Sequence, residues 1–234
     1  MLIERHELYV TLLNGTATKA TAAICLTDSK EAGMQNENGA FFSQNEKSRY
    51  DSMRAEKLKR NFALGRTAVK HAVMKYYEAD ALSPELIEIC NTLTGKPYVC
   101  IDRKPCGISV SLSHSGETAV AIAGDAALCF GIDMECGAVQ SREKLAEWVA
   151  REAVGKYLGI GLTAKKGVYL TDVFSDDRRM MIRRCCVFSG ISVGIVFADC
   201  CVIALAHDRR IKEACIRKLL LSAKAYMDAR KQEQ

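Results

Sequence analysis

Apolar positions follow two periods along this chain, and the periods mark its elements. From Tyr50 to Tyr77, Leu58, Phe62, Val69, Val73 and Tyr76 stand three, four or seven residues apart, which predicts one long amphipathic helix. Ile108, Val110 and Leu112 alternate with Ser109 and Ser111, a half-buried strand, and Ser113-His114-Ser115-Gly116 reads as its exit turn. Thr118 to Ala123 predicts a returning strand, with a hairpin turn at Gly124-Asp125. In Ala127 to Glu135, Leu128, Phe130, Ile132 and Met134 occupy one face and Cys129, Gly131, Asp133 and Glu135 the other. Glu143 to Leu158 predicts a helix ending near Gly159. Apolar β-rich runs follow at Val168 to Phe174, Met181 to Phe188, Ser192 to Phe197 and Cys200 to Ala206, and a helix over about Ile211 to Ala229 closes the chain. Leu8 to Leu13 and Ala22 to Leu26 predict two early strands, and the polar stretch Glu31 to Gln44 a loop.

Helix then strands occurs twice, so the expected class is α+β. The expected halves are residues 1–125 and 126–234, each a helix on a small antiparallel sheet, meeting near Gly124 to Cys129.

Composition narrows the function classes. The 234 residues are 49% hydrophobic and 26% charged, an ordinary globular mixture. No apolar run of about 18 residues occurs and the start lacks a secretory layout, so no membrane span and a cytoplasmic location are expected. Eleven cysteines form no Cys-x-x-Cys pair. Cys185-Cys186 and Cys200-Cys201 lie in apolar runs, which suits cysteine as a small buried hydrophobe and argues against a zinc site. A net charge of +5 is too dispersed for a nucleic-acid binder but suits an anionic ligand or an acidic protein partner.

Four places along the chain invite chemistry. Asp133 and Glu135, two apart on a strand, project together, and two such carboxylates are either solvated or share a cation such as magnesium. Glu152 falls among Leu145, Trp148 and Val149 on a helix, with Lys156 one turn on: either a surface ion pair or a polar site between elements. Arg66 falls on the apolar stripe of its helix, so it either snorkels to solvent or meets an anion. His114 either bonds its own turn or, with Ser113 and Ser115, lines an anion nest. A Ser-His hydrolase is a poor reading, since no Gly-x-Ser-x-Gly elbow exists and the side chains of adjacent Ser113 and His114 would diverge.

Taken in order, Gly95-Lys96-Pro97-Tyr98, Ser111-Leu112-Ser113-His114-Ser115, Phe130-Gly131-Ile132-Asp133-Met134-Glu135 and Trp148-Val149-Ala150-Arg151-Glu152-Ala153 resemble the 4′-phosphopantetheinyl transferase family. Lys156 and Gly159-Ile160-Gly161-Leu162 extend the likeness, which covers about residues 50 to 162 and points to the surfactin-synthetase-activating and enterobactin-type branch. The resemblance implies a 4′-phosphopantetheinyl transferase fold of two pseudo-twofold-related halves, with coenzyme A in the cleft between them. It implies magnesium on Asp133, Glu135 and Glu152, with Glu152 also the general base. Lys156 would contact a phosphate and assist the leaving 3′,5′-ADP. Ser113 and His114 would meet the 3′-phosphate, and Gly95, Lys96 and Pro97 the adenine side. Arg66, in Leu64-Gly65-Arg66, would face coenzyme A, with Arg54 and Arg60 as further candidates. The implied partner is an acyl or peptidyl carrier protein of fatty acid, polyketide, nonribosomal peptide or siderophore synthesis, and a monomer is the natural expectation. A degenerate paralogue that binds coenzyme A or a carrier without turnover is the alternative. Arg151 stands where the family commonly has lysine, and Met134 offers a metal nothing.

Overall fold

Strand β1 (Leu2–Thr11) turns back into β2 (Ala17–Asp28), in register from Leu2 opposite Leu26 to Thr11 opposite Ala17. Both run well beyond the expected segments, because β1 buries only every second residue (His6, Leu8, Val10) and its outer half reads as polar. Strand β2 pairs with β7 (Thr118–Asp125), and β7 with β6 (Ile108–Ser115), giving an antiparallel sheet of order β1-β2-β7-β6. A second antiparallel sheet runs β8 (Phe130–Cys136), β12 (Cys201–Asp208), β11 (Ile191–Phe197), β10 (Met180–Cys185), β9 (Leu170–Asp176). A small third sheet joins β3 (Ile87–Asn91), β4 (Pro97–Ile101) and β5 (Lys104–Pro105). Five α-helices complete the described residues: α1 (Ser29–Asn36), α2 (Gln44–Ser52), α3 (Glu56–Tyr77), α4 (Arg142–Leu158) and α5 (Glu213–Lys231). The computed structural model describes residues 1–12, 15–36, 41–78, 82–137, 141–160, 170–176, 180–185 and 188–231. Leu13, Gly161, Leu162, Val168 and Cys186, used in the sequence reading, lie outside them.

The class is α+β, as the periodicity predicts. Helix α3 lies on the first sheet, where Leu64, Ala68, Val69, Ala72 and Val73 meet Cys25, Val110, Ala119, Ala121 and Ala123. Helix α4 lies on the second, where Ala146, Val149, Ala150, Ala153 and Val154 meet Val193, Ile195, Val202, Ala204 and Ala206. Alanines on both sides of each contact bring helix and sheet close. The opposite faces of the two sheets share a third core with α5, joining Leu8, Ile24 and Ile122 to Phe130, Ile132, Met134 and Leu219. The first sheet draws its strands from residues 1–125 and the second from later ones, yet the bridge between Val10 and Ile211 ties the ends of the chain together.

Three expectations are corrected. The segment Glu31 to Gln44 is not a loop throughout: Glu31 lies in α1, and Ser43 caps α2 in a capping box with Glu46, a signal its polar surroundings obscure. The single helix Tyr50 to Tyr77 is two, broken where Met53 turns extended, and Leu58 is consequently 58% exposed. Ser113-His114-Ser115 is strand rather than turn; the turn comes at Gly116, whose φ is +57°.

The cysteines behave as the apolar reading predicts at Cys25, Cys100, Cys185 and Cys201, which are buried free thiols. Burial raises the Cys25 thiol far above its ordinary range.

One buried group sets an acid sensitivity. His207 on β12 is 1% exposed; its Nδ1 donates to Asp208 O at 2.9 Å, and its Nε2 meets no hydrogen-bond partner among the described residues. Burial pushes its pKa down from 6.5 to about 4. The folded value stands below the unfolded one, so the unfolded chain takes up the proton first as pH falls. Stability is therefore full above pH 6.5 and is lost as pH drops toward 4, by about 3 kcal/mol from this group. His207→Gln should flatten that part of a urea-unfolding profile measured against pH; an unchanged slope would assign the loss to other groups. His6 and His71, also lowered chiefly by burial, act in the same direction.

Candidate functional site

Strands β6 and β8 are edges of their two sheets, and an edge carries unpaired backbone groups. Here the edges meet through serine side chains. Ser111, Ser113 and Ser115, two apart on β6, turn to one face, and all three are buried. Ile132 N donates to Ser111 Oγ at 3.0 Å and Cys136 N to Ser115 Oγ at 2.9 Å. Ser113 Oγ donates to Asp133 Oδ1 at 2.7 Å, and Ser115 Oγ to Glu135 Oε1 at 2.9 Å. The hydroxyls of Ser111 and Ser115 thus satisfy two edge amides, and those of Ser113 and Ser115 aim the two carboxylates. The alternation of Ile108 to Ser115 is the signal for this seam, which reading Ser113 onward as a turn conceals.

Helix α4 closes the seam. Ser141 caps its start, accepting from Lys144 N, and Gly159, left-handed at φ +70°, ends it as the sequence predicts. Lys156, in the last turn, donates to Asp133 Oδ1 at 2.7 Å, Leu112 O at 3.0 Å and Ile132 O at 3.1 Å. An ammonium has three donors, and all three are engaged. Glu152 stands one turn earlier, half-buried. The helix is rotated from the expected stripe: Ala146, Val149, Ala150 and Ala153 are buried, whereas Trp148 is 48% exposed. Glu152 borders the buried face, with its Oε1 turned away from solvent.

The expected phosphate and adenine contacts divide. His114 points to the opposite face of β6 from the serines and is exposed. Partial desolvation lowers its pKa, the Lys156 charge lowers it further, and Asp133 and Glu135 oppose both. Gly95, at φ +86°, makes the turn between β3 and β4, where Gly95 N donates to Thr92 O at 2.9 Å. From that turn Lys96 Nζ reaches Tyr157 O at 3.4 Å, placing a cation against the C-terminal turn of α4. Pro97 opens β4. This hairpin and the seam thus meet at the end of α4.

Arg66 lies elsewhere, against an acid of α2. It is 8% exposed, and the anion it needs comes from within the chain: Nε lies 3.1 Å from Glu46 Oε1, and the guanidinium carbon 4.5 Å from the Phe62 ring centre. Glu46 also takes Lys70 Nζ at 2.6 Å. Arg54 is exposed between α2 and α3, and Arg60 pairs with Glu117 at 3.2 Å on the surface.

For a metal, the donor chemistry fits better than the assembly. Asp133 and Glu135 share a face of β8 and offer hard oxygens, the ligands magnesium takes. Among the described residues, however, no group of three or more His, Cys, Asp or Glu side chains stands ready to hold an ion. The expected cluster of Asp133, Glu135 and Glu152 is not preformed, because Asp133 is turned to Lys156 and Ser113 and Glu135 to Ser115. Magnesium keeps waters and phosphate oxygens in its shell and needs only one or two carboxylates, so Asp133 and Glu135 remain a sufficient pair. Of the described hollows, one of about 630 Å³ near Phe42 and Arg103 and one of about 850 Å³ near Tyr157 and Arg209, neither is lined by these acids.

No family model and no curated protein matches this chain. Among solved structures it is similar to the holo-[acyl-carrier-protein] synthase of Thermotoga maritima, with 23% identity over 52% of this chain and 72% of that one, at a TM-score of 0.35. No helix of the described residues is long and apolar enough to cross a membrane.

Proposed function

We propose that this chain transfers the 4′-phosphopantetheine arm of coenzyme A to a serine of an apo acyl or peptidyl carrier protein, releasing 3′,5′-ADP, at the seam of β6, β8 and α4. The observation that carries the reading is the meeting of Asp133, Glu135 and Lys156 there, with Glu152 one turn away on α4. These are the residues the motif order singles out, and they come from segments about 20 residues apart. The pseudo-twofold arrangement of the two helix-on-sheet halves, a monomeric state and a cytoplasmic location belong to the same reading.

In it, Asp133 and Glu135 would hold magnesium together with Glu152, and the ion would offset the charge of the pyrophosphate. Glu152 takes the proton from the carrier's serine hydroxyl. That oxygen then bonds to the phosphorus bearing the pantetheine arm, and the bond from this phosphorus to the 3′,5′-ADP oxygen breaks. Ser113 and Ser115 keep the two strand carboxylates aligned. The hairpin carrying Gly95, Lys96 and Pro97 would flank the adenine. His114, held toward its neutral form, would serve as a hydrogen-bonding partner of the 3′-phosphate rather than as a fixed charge. In this reading Arg66, buried and paired with Glu46, stands outside the donor contacts.

Incubation with coenzyme A, magnesium and several apo carriers should add one phosphopantetheine arm per carrier, read by mass spectrometry. A second reading, binding of coenzyme A without turnover, is favoured by the closed Lys156–Asp133 pair. Coenzyme A binding with no arm added to any carrier would select it. Glu152→Gln should lower transfer by about 10²–10⁴-fold while leaving the melting curve near wild type. Turnover close to wild type in that variant would remove Glu152 as the base.

A further inference from the structure

The side chain that would receive a divalent ion is already holding a cation. Asp133 Oδ1 accepts from Lys156 at 2.7 Å while also accepting from Ser113 at 2.7 Å, and the Asp133 side chain is 10% exposed. The Lys156 ammonium sits in a cage of three oxygens, Asp133 Oδ1, Leu112 O and Ile132 O, supplied by two strands of different sheets. Such a cage suits a monovalent cation. A divalent ion arriving on the same carboxylate would stand within a few ångström of that ammonium and be repelled by it. The described residues offer it no alternative group of three acids.

We propose that Lys156 is a tethered cation that occupies Asp133 in the free chain, so that the divalent ion and the pyrophosphate ligand bind together, neither of them well alone. The inference rests on the reading that Asp133 and Glu135 form the metal site. Lys156 has the freedom the exchange requires, since its side chain is 30% exposed and its stem ends a helix turn beside the seam. A phosphate oxygen gives the ammonium a new acceptor, and its departure leaves Asp133 desolvated and still oriented by Ser113. Metal and phosphate then each raise the other's affinity, as linkage requires. Lys156 is on this account a positioning residue for Asp133 first and a phosphate contact second.

The test is Mn²⁺ binding to the full chain, followed by the electron paramagnetic resonance of the free ion, without and with saturating coenzyme A. Without coenzyme A, Lys156→Met should bind Mn²⁺ about tenfold more tightly than wild type. Coenzyme A should tighten Mn²⁺ about tenfold in wild type and much less in Lys156→Met. If the variant binds Mn²⁺ no better than wild type, the lysine is a brace only and the proposal is overturned. The wild-type measurement stands even where the variant fails to fold: no gain in Mn²⁺ affinity on adding coenzyme A also overturns it. Glu135→Gln separates the two readings. If it weakens Mn²⁺ binding while Lys156→Met changes nothing, the metal site stands and the tethered cation falls. If neither variant alters Mn²⁺ binding, both fall.

Discussion

Glu46→Ala should cost about 3–5 kcal/mol of stability, a large fraction of what a domain of this size possesses. Glu46 is 3% exposed and carries four contacts on one carboxylate: Arg66 Nε at 3.1 Å, Lys70 Nζ at 2.6 Å, Ile89 N at 3.1 Å and Ser43 N at 3.1 Å. Lys70 is fully buried and also donates to Phe41 O and Pro84 O at 2.8 Å each. Burial lowers the pKa of both cations and Glu46 raises it again, so removing the acid leaves two buried charges with carbonyls and a ring for company. The network also locks α2 to α3 and to the edge of the small sheet, because Ile89 belongs to β3. Urea unfolding measures the cost. Glu46→Leu combined with Lys70→Met and Arg66→Met should recover much of it, since a packed apolar triad needs no counter-charge. If Glu46→Ala melts within about 1 kcal/mol of wild type, water or rearranged side chains have taken over the role, and this network does not hold the three elements together.

The parts of the fold that periodicity makes legible are those whose partners are close or whose ends are chemically marked. Strand β8 shows its two faces in Phe130 to Glu135, and the structure puts Ile132 and Met134 in one core and Asp133 on the side facing α4. Helix α4 is readable to its last residue because Gly159 is left-handed there. What is not legible is pairing across distance. Arg66 on an apolar stripe announces that an anion is near, but nothing local says that Glu46, 20 residues earlier, supplies it. Only the Ser43-x-x-Glu46 spacing hints that the acid is positioned at all. Ser113 and Ser115 look like a turn because a serine-rich stretch ending in glycine usually is one. They are strand because β7 pairs with them as far as Ser115 opposite Thr118. Trp148 misleads in another way: its size suggests core, while the small residues Ala146, Ala150 and Ala153 form the contact that lets α4 lie close to its sheet.

That closeness makes Gly131→Ala the substitution expected to disturb the geometry of the site most. A Cβ at position 131 would fall 2.0 Å from Ala153 O and 2.4 Å from Tyr157 N. Both are backbone atoms of α4, so no side chain can swing away, and the helix itself must lift from β8. Overpacking of this kind costs about 3 kcal/mol or more. The displacement would fall on the turn that carries Lys156 and follows Glu152, so Lys156 would lose its 2.7 Å reach to Asp133. Transfer should drop by at least about 10²-fold even in the fraction that remains folded, because an ångström of misplacement is enough for that. Gly107→Ala is the control: nothing lies within 4 Å of its Cβ, so it should stay within about 0.5 kcal/mol of wild type. Melting curves and single-turnover transfer on folded protein distinguish the outcomes. A Gly131→Ala chain with normal stability and normal transfer would mean that α4 can stand off from β8 without consequence. The seam would then not be where the chemistry happens.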